Sequence, residues 1–306
     1  MKPTVRQALY GLAVADAIGN PLEFQSKVSA ENFQKSAEAK ELRISDDTQM
    51  ALFCAEGLIQ GYSPAESYKR WYKTQSSSPN ESSSNDGLLR FKDLYHRESP
   101  GVTCMTACVQ LSANQRVQND SKGNGGLMRL LPIPYFAKTP EQAWDRAVED
   151  TRTTHKHPLA IPCSGMLSLL HYRLIQGVSW NDALQEVLNH KNAKEVWSIV
   201  ESVLQSHEHY TEARKTWRGC VAEEALALAI GTVHHNHDKG YMRVIEDAIC
   251  ITGDSDTVGA IAGGLAVSAH MGYPPDDYCK KLNALSSIDW VARQWENIFS
   301  SPAISS

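Results

Sequence analysis

Very little of this chain reads as β-structure. Runs that alternate Val, Ile or Thr with polar residues are almost absent from its 306 residues, which argues against a sandwich or barrel. The seven cysteines are scattered, odd in number and without a C-x-x-C pair. That pattern argues against a disulfide framework and for a reducing compartment. No stretch is long and charge-free enough to span a bilayer. The start, Met1 to Arg6 and then a short apolar run interrupted by Asp16, lacks the pattern of a signal peptide. The net charge of −5 carries no basic excess, against general binding to nucleic acid or membrane surfaces. There is no repeat at a solenoid period and no linker long enough to divide the chain. The expectation is a soluble, cytoplasmic protein with one domain over residues 1–306.

What is present is helical. With 42% hydrophobic residues the chain can build a sizeable core, and Ala- and Leu-rich helical periods dominate it. They predict an all-α fold, a single compact multi-helix domain. Helices are expected over Val5–Ile18, Ala65–Lys73 (with Pro64 in the first turn), Thr103–Leu111, Glu141–Val148, Leu159–Gln176, Ala183–Leu188, Val196–Leu204 and Val221–Val233, and Tyr241–Ile251 leads into the last acidic stretch. Leu88–Tyr95 also reads as helical, residues 26–43 as a loop or short helix, and Gln75–Asp86, rich in Ser and Asn, as a mobile loop.

The chain is organised around Gly253-Asp254-Ser255-Asp256-Thr257, followed by the small, apolar Val258 to Gly264. The latter reads as a tightly packed helix starting near Thr257, its free N–H groups around the acids. Taken alone, this is a helix cap with two solvated acids. A second stretch, Ser45-Asp46-Asp47-Thr48, has the same composition and also opens an apolar helix, from Met50. Two acid-acid-hydroxyl clusters of this kind suggest two halves of one site. Burying such acids is costly unless cations neutralise them. Oxygen-only ligands suit Mg²⁺, Mn²⁺ or Ca²⁺ rather than zinc, and four carboxylates would hold two ions better than one. Two-metal sites are typical of hydrolysis at phosphorylated substrates.

Other residues read less sharply. Asp16 lies in the first apolar helix, and a buried acid bonded to backbone or serine is the plainer reading. Glu23 sits between Leu22 and Phe24 just after Pro21; it points either into a cavity or to solvent. The glycine-rich Ser121 to Arg129 can approach a ligand closely and form an anion nest, or be a plain turn; it matches neither the Walker nor the Rossmann pattern. His155 and His157 are poor ligands for an oxygen site, and either hydrogen-bonds a sugar or phosphate or lies at the surface. His234, His235 and His237 read as a solvated helix C-terminus.

In order along the chain, Gly11-x-x-x-x-Asp16-x-x-Gly19 with Glu23, Ser45-Asp46-Asp47-Thr48, Gly123-Asn124-Gly125-Gly126 with Met128-Arg129, Thr154-His155 and Gly253-Asp254-Ser255-Asp256-Thr257 together resemble the ADP-ribosylglycohydrolase family, including its dinitrogenase reductase-activating branch. Gly219 to Leu226 resembles the family's late helix. The resemblance implies a helical hydrolase with two Mg²⁺ or Mn²⁺ ions. Glu23, Ser45, Asp46, Asp47, Asp254, Asp256 and Thr257 would be the ligands. Glu23, Asp47 and Asp256 would carry catalysis. Asp46, Lys122, Gly123, Asn124, Gly125, Gly126, Met128 and His155 would bind ADP-ribose, the glycine loop cradling its pyrophosphate. The implied substrate is a mono-ADP-ribosylated protein, most simply at arginine; serine-linked or nucleic-acid ADP-ribose and a non-catalytic binding role are the alternatives. The wider partner would be an ADP-ribosylating toxin, with this chain an immunity protein, or a regulated enzyme; a monomer is the simplest state. Two departures stand out. Ser45 replaces the usual threonine but keeps a hydroxyl. Ser99-Pro100-Gly101 lacks the aspartate some arginine-specific members carry there, which raises the weight on Glu23.

Overall fold

The computed structural model describes residues 2–77 and 86–300. The expected loop over Gln75–Asp86 lies mostly outside them. The described residues form sixteen α-helices and no strand; two isolated bridges, Leu42 with Leu282 and Gly123 with Val221, are the only β-type pairings among them. The all-α expectation holds.

The first helix, Val5–Gly19, starts at a capping box in which the Thr4 hydroxyl accepts from Gln7 N–H; such caps satisfy otherwise orphaned donors. It packs against Ser255–Ser268, all of whose residues are buried. The two backbones come so close that a Cβ added at Gly263 would lie 2.4 Å from Gly11 O. Glycine is needed there for space rather than for an unusual φ. The buried Ala222–His235 helix packs on the same central helix, and one continuous apolar cluster runs from Val5 to Trp295. The helices of Asp46–Gln60 and Ala160–Ile175 also reach the centre.

Arg129 is fully buried, yet its guanidinium is satisfied. Nε donates to Asp150 Oδ1 at 2.8 Å, Nη2 to Asp150 O at 3.0 Å and Nη1 to Gly125 O at 3.0 Å. The Tyr68 ring lies 3.9 Å beneath it, and the Tyr68 hydroxyl also donates to Asp150. A buried ion pair of this kind is tolerated because its remaining polar atoms are bonded. It fixes the glycine loop from below.

Several expectations need correction. The last acidic helix begins at Ser255, with Asp254 in the cap position, rather than near Thr257. Gly219–Val221 precedes the late helix, which starts at Ala222, because those residues bridge to the glycine loop instead. Leu88–Tyr95 is two short 3₁₀ turns, Gly87–Arg90 and Lys92–Leu94; there Leu88 N–H is taken by the Glu56 carboxylate at 2.7 Å. The polar helix His207–Thr216 had no apolar period to announce it. The histidine trio is not simply solvated: His234 accepts from Trp180 Nε1, His235 bonds Val203 O at 2.8 Å, and only His237 is exposed.

Candidate active site

The two acidic stretches meet. Thr257 Oγ1 donates to Asp47 Oδ1 at 3.1 Å across 210 positions of sequence. Each pair of acids sits at the start of a helix: Asp46 and Asp47 open Asp46–Gln60, Asp254 caps Ser255–Ser268, and Asp256 lies in its first turn. Helix N-termini favour nearby carboxylates electrostatically, although of these four only Asp256 accepts from a first-turn N–H. Ser45 Oγ accepts from Asp47 N–H at 3.1 Å, and Asp256 Oδ1 accepts from Thr257 N–H at 3.0 Å.

Asp16, fully buried, stitches the first cluster to the first helix. It accepts from Ser45 N–H at 3.1 Å, from Thr48 N–H at 3.2 Å and from the Thr48 hydroxyl. The plainer reading of Asp16 as a buried, backbone-bonded acid therefore describes its contacts. It has a second aspect: oxygens of Asp16, Asp47 and Asp256 lie within 4.8 Å of one another, as do oxygens of Glu23, Asp254 and Asp256.

Two triads of carboxylate oxygens sharing Asp256 repel one another. Burial, reinforced by neighbouring acids, pushes Asp46, Asp47 and Asp256 well above the ordinary carboxylate range. Burial likewise raises Asp16 to about 6 against its hydrogen bonds, and burial with the Asp254 charge raises Glu23 to about 7. Asp47 Oδ2 is buried and accepts no hydrogen bond. Buried acceptors are normally partnered. An orphaned oxygen, oxygen-only donors and mutual repulsion together fit hard divalent cations. Residues of both triads could hold them.

The acids floor a cavity of about 360 Å³. Glu23, Asp46, Asp47, Asp254, Asp256 and Thr257 line it, with Gly123, Asn124, Gly125, Met128 and His155. Asn124 joins the two sides: its Nδ2 donates to Asp254 Oδ2 and to Gly219 O, both at 2.8 Å. Its N–H reaches Cys220 O at 3.2 Å. His155 is buried, with Nδ1 2.9 Å from Thr154 Oγ1, and burial lowers its pKa to about 3, so it faces the cavity uncharged. Three residues named from the sequence stand outside the lining. Lys122 turns to Glu223, Gly126 packs on Thr151, and Ser45 is buried beneath as a helix cap. A larger cleft of about 700 Å³ beside Trp144 and Lys194 gathers no comparable oxygen set among the described residues.

Some lining residues are not assigned to the site from the sequence, although Ser99-Pro100-Gly101 stands out there for lacking an aspartate. Gly101 N–H donates to Asp46 Oδ2 at 3.2 Å, so the Ser99–Gly101 turn forms one wall. Phe24, Val102 and Cys220 also line the cavity. For Phe24 the hint was the triplet Leu22-Glu23-Phe24, because an acid between large apolar residues after a proline turn marks a special environment.

Comparison with known proteins gives the family and the fold. The ADP-ribosylglycohydrolase family model matches residues 2–299. An ADP-ribosylarginine hydrolase, Tri1, of Pseudomonas putida (strain GB-1) is 25% identical over 288 residues, covering 88% of this chain and 71% of that protein. The uncharacterized protein YegU of Escherichia coli (strain K12) is 25% identical, covering 92% of each. A solved structure described as an ADP-ribosylglycohydrolase-related protein complex superposes with a TM-score of 0.69 at 22% identity, over 96% of this chain and 97% of that one; this likeness speaks to the fold alone.

Proposed function

We infer the chemistry from one premise: this chain belongs to the ADP-ribosylglycohydrolase family. It is a hydrolase of that type. Our reading is that it removes mono-ADP-ribose from modified arginine side chains, with two Mg²⁺ or Mn²⁺ ions held by Asp46, Asp47, Asp254, Asp256 and Thr257, and with Glu23 and the Ser45 turn completing the set. The observation that supports the metal-dependent part of this reading is the meeting of the two acidic helix starts around the unpartnered Asp47 Oδ2; the arginine linkage rests on the similarity to an ADP-ribosylarginine hydrolase.

When bound, such ions supply Lewis acidity, polarising oxygens and making water a better nucleophile near neutral pH. The chain's own residues do the rest. Asn124 and the backbone of Gly123 and Gly125 present the glycine loop to the pyrophosphate. His155, neutral and buried, offers one ring nitrogen to the ligand while Thr154 holds the other. The carboxylates stabilise positive charge that builds on the ribose as it passes through an oxocarbenium-like state. Water adds to ribose C1, the bond from C1 to the guanidine nitrogen breaks, and the departing nitrogen takes up a proton. Glu23 or Asp256 accepts the proton that water gives up. The products are free ADP-ribose and unmodified arginine.

The test is release of free ADP-ribose from defined arginine- and serine-linked substrates, with and without EDTA. Turnover of the arginine linkage, abolished by EDTA and by Asp256→Ala, is expected. Turnover of the serine linkage alone would move the reading to O-glycosides. Turnover of neither, with tight ADP-ribose binding retained, would make the chain a binding protein.

A further inference from the structure

Phe24 has no structural occupation. It is 52% exposed, although its neighbours Leu22 and Val28 are in the core. Among the described residues no aromatic ring stacks on it, no lysine or arginine of the chain covers it, and it is no part of the apolar cluster. Its backbone is costly: φ is +56°, in the left-handed region that bulky residues avoid. A hydrogen bond from Phe24 N–H to Gly253 O at 2.7 Å pins that conformation to the last acidic turn. Strained residues that persist without a packing reason concentrate at ligand clamps.

The place of the strain matters. Phe24 lines the acidic cavity one residue from Glu23, whose oxygens approach those of Asp254 and Asp256 within 4.8 Å. Ser99, which also lines the cavity and hydrogen-bonds Glu23, is a second non-glycine residue with positive φ, at +49°. Val102, at 81% exposed, extends the same rim. The mouth of an otherwise acidic cavity is thus apolar and aromatic. An aromatic face beside carboxylates is a receptor for a delocalised cation.

We propose that Phe24 reads the leaving group, its ring receiving the guanidinium of a modified arginine at the cavity mouth. This rests on the arginine reading above and deepens it. If ribose C1 lies over the carboxylates, whatever is bonded to C1 extends toward the rim. A modified arginine presents a flat cation there, which gains from the ring face. A serine linkage presents a neutral oxygen, which gains nothing. Phe24 is then a specificity residue, touching the part of the substrate that departs.

The experiment compares Phe24→Leu, Phe24→Ala and Phe24→Tyr with the metal-loaded wild type. Each variant keeps a Cβ, so the backbone strain is unchanged. The readouts are kcat/KM on ADP-ribosyl-arginine and on ADP-ribosyl-serine, and the Kd of free ADP-ribose. Phe24→Leu and Phe24→Ala are expected to lose about tenfold in kcat/KM on the arginine substrate, the scale of one partly desolvated cation–π contact. Phe24→Tyr should retain it, and ADP-ribose affinity should not move. Wild-type activity of Phe24→Leu on arginine would overturn the proposal. So would equal losses on both linkages, or an equal loss of ADP-ribose affinity, which would place the ring on the ADP-ribose itself. A wild-type protein inactive on arginine but active on serine overturns the arginine reading first, and this proposal with it.

Discussion

Asp47 accepts a hydrogen bond from Thr257 through one oxygen and none through the other. Its neighbours Asp16 and Asp256 are held against it by their own helices. At the scale of single residues, the site is thus a set of acids that the fold brings together against their charge. Two buried histidines show the opposite sign. His171 is fully buried with Nδ1 2.9 Å from Ser268 Oγ, and burial lowers its pKa from 6.5 to about 3; His155 is lowered to about 3 as well. In the unfolded chain both take up protons near pH 6.5, while the folded chain resists until about pH 3. The unfolded state therefore binds more protons across that window, and their contribution to stability falls as pH drops through it. The slope reaches about 1.4 kcal/mol per pH unit for each histidine. Urea unfolding of wild type and His171→Gln at pH 4.5 and pH 7 reads this contribution. The variant should lose less stability on acidification; equal losses would mean that His171 does not titrate on unfolding.

At the scale of elements, the site depends on how closely two helices cross. A Cβ at Gly263 would also lie 2.8 Å from Ala15 Cβ, so Gly263→Ala has no side-chain rotamer with which to escape. It should cost about 1–3 kcal/mol in a urea titration and weaken divalent-ion binding, because the crossing sets Asp16 against Asp256. Full stability in that variant would contradict the crossing. Most helices were legible because Ala- and Leu-rich periods need burial to make sense. The polar helix His207–Thr216 was not, since its stability comes from a Ser206 cap and its packing neighbours rather than from an apolar stripe. Leu88–Tyr95 forms two short 3₁₀ turns instead of one helix, with Leu88 N–H held by the distant Glu56 carboxylate. The acidic clusters were legible for their spacing and their position before apolar runs. The Ser99-Pro100-Gly101 segment was marked by its missing aspartate but not as a wall of the cavity, and the exposed ring of Phe24 and the Arg129–Asp150 pair beneath the glycine loop were not legible, because each depends on residues far away in sequence.

Across the whole molecule, residues near both ends of the chain supply one cavity. No helix among the described residues is long and apolar enough to cross a membrane. The core runs through the same central helices that carry the acids, so folding and assembly of the site are one event. Ions that bind only the folded chain then stabilise it by mass action, about 2.7 kcal/mol at a hundredfold excess over Kd for each site. The most direct measurement is equilibrium binding of Mn²⁺ to the metal-stripped protein, followed alongside ADP-ribose release from an arginine-linked substrate. Wild type should take up two ions per chain, and Asp47→Asn and Asp256→Asn, one from each end of the sequence, should each lose binding and turnover together. Unchanged ion binding in either variant, or full turnover in EDTA, would contradict the account.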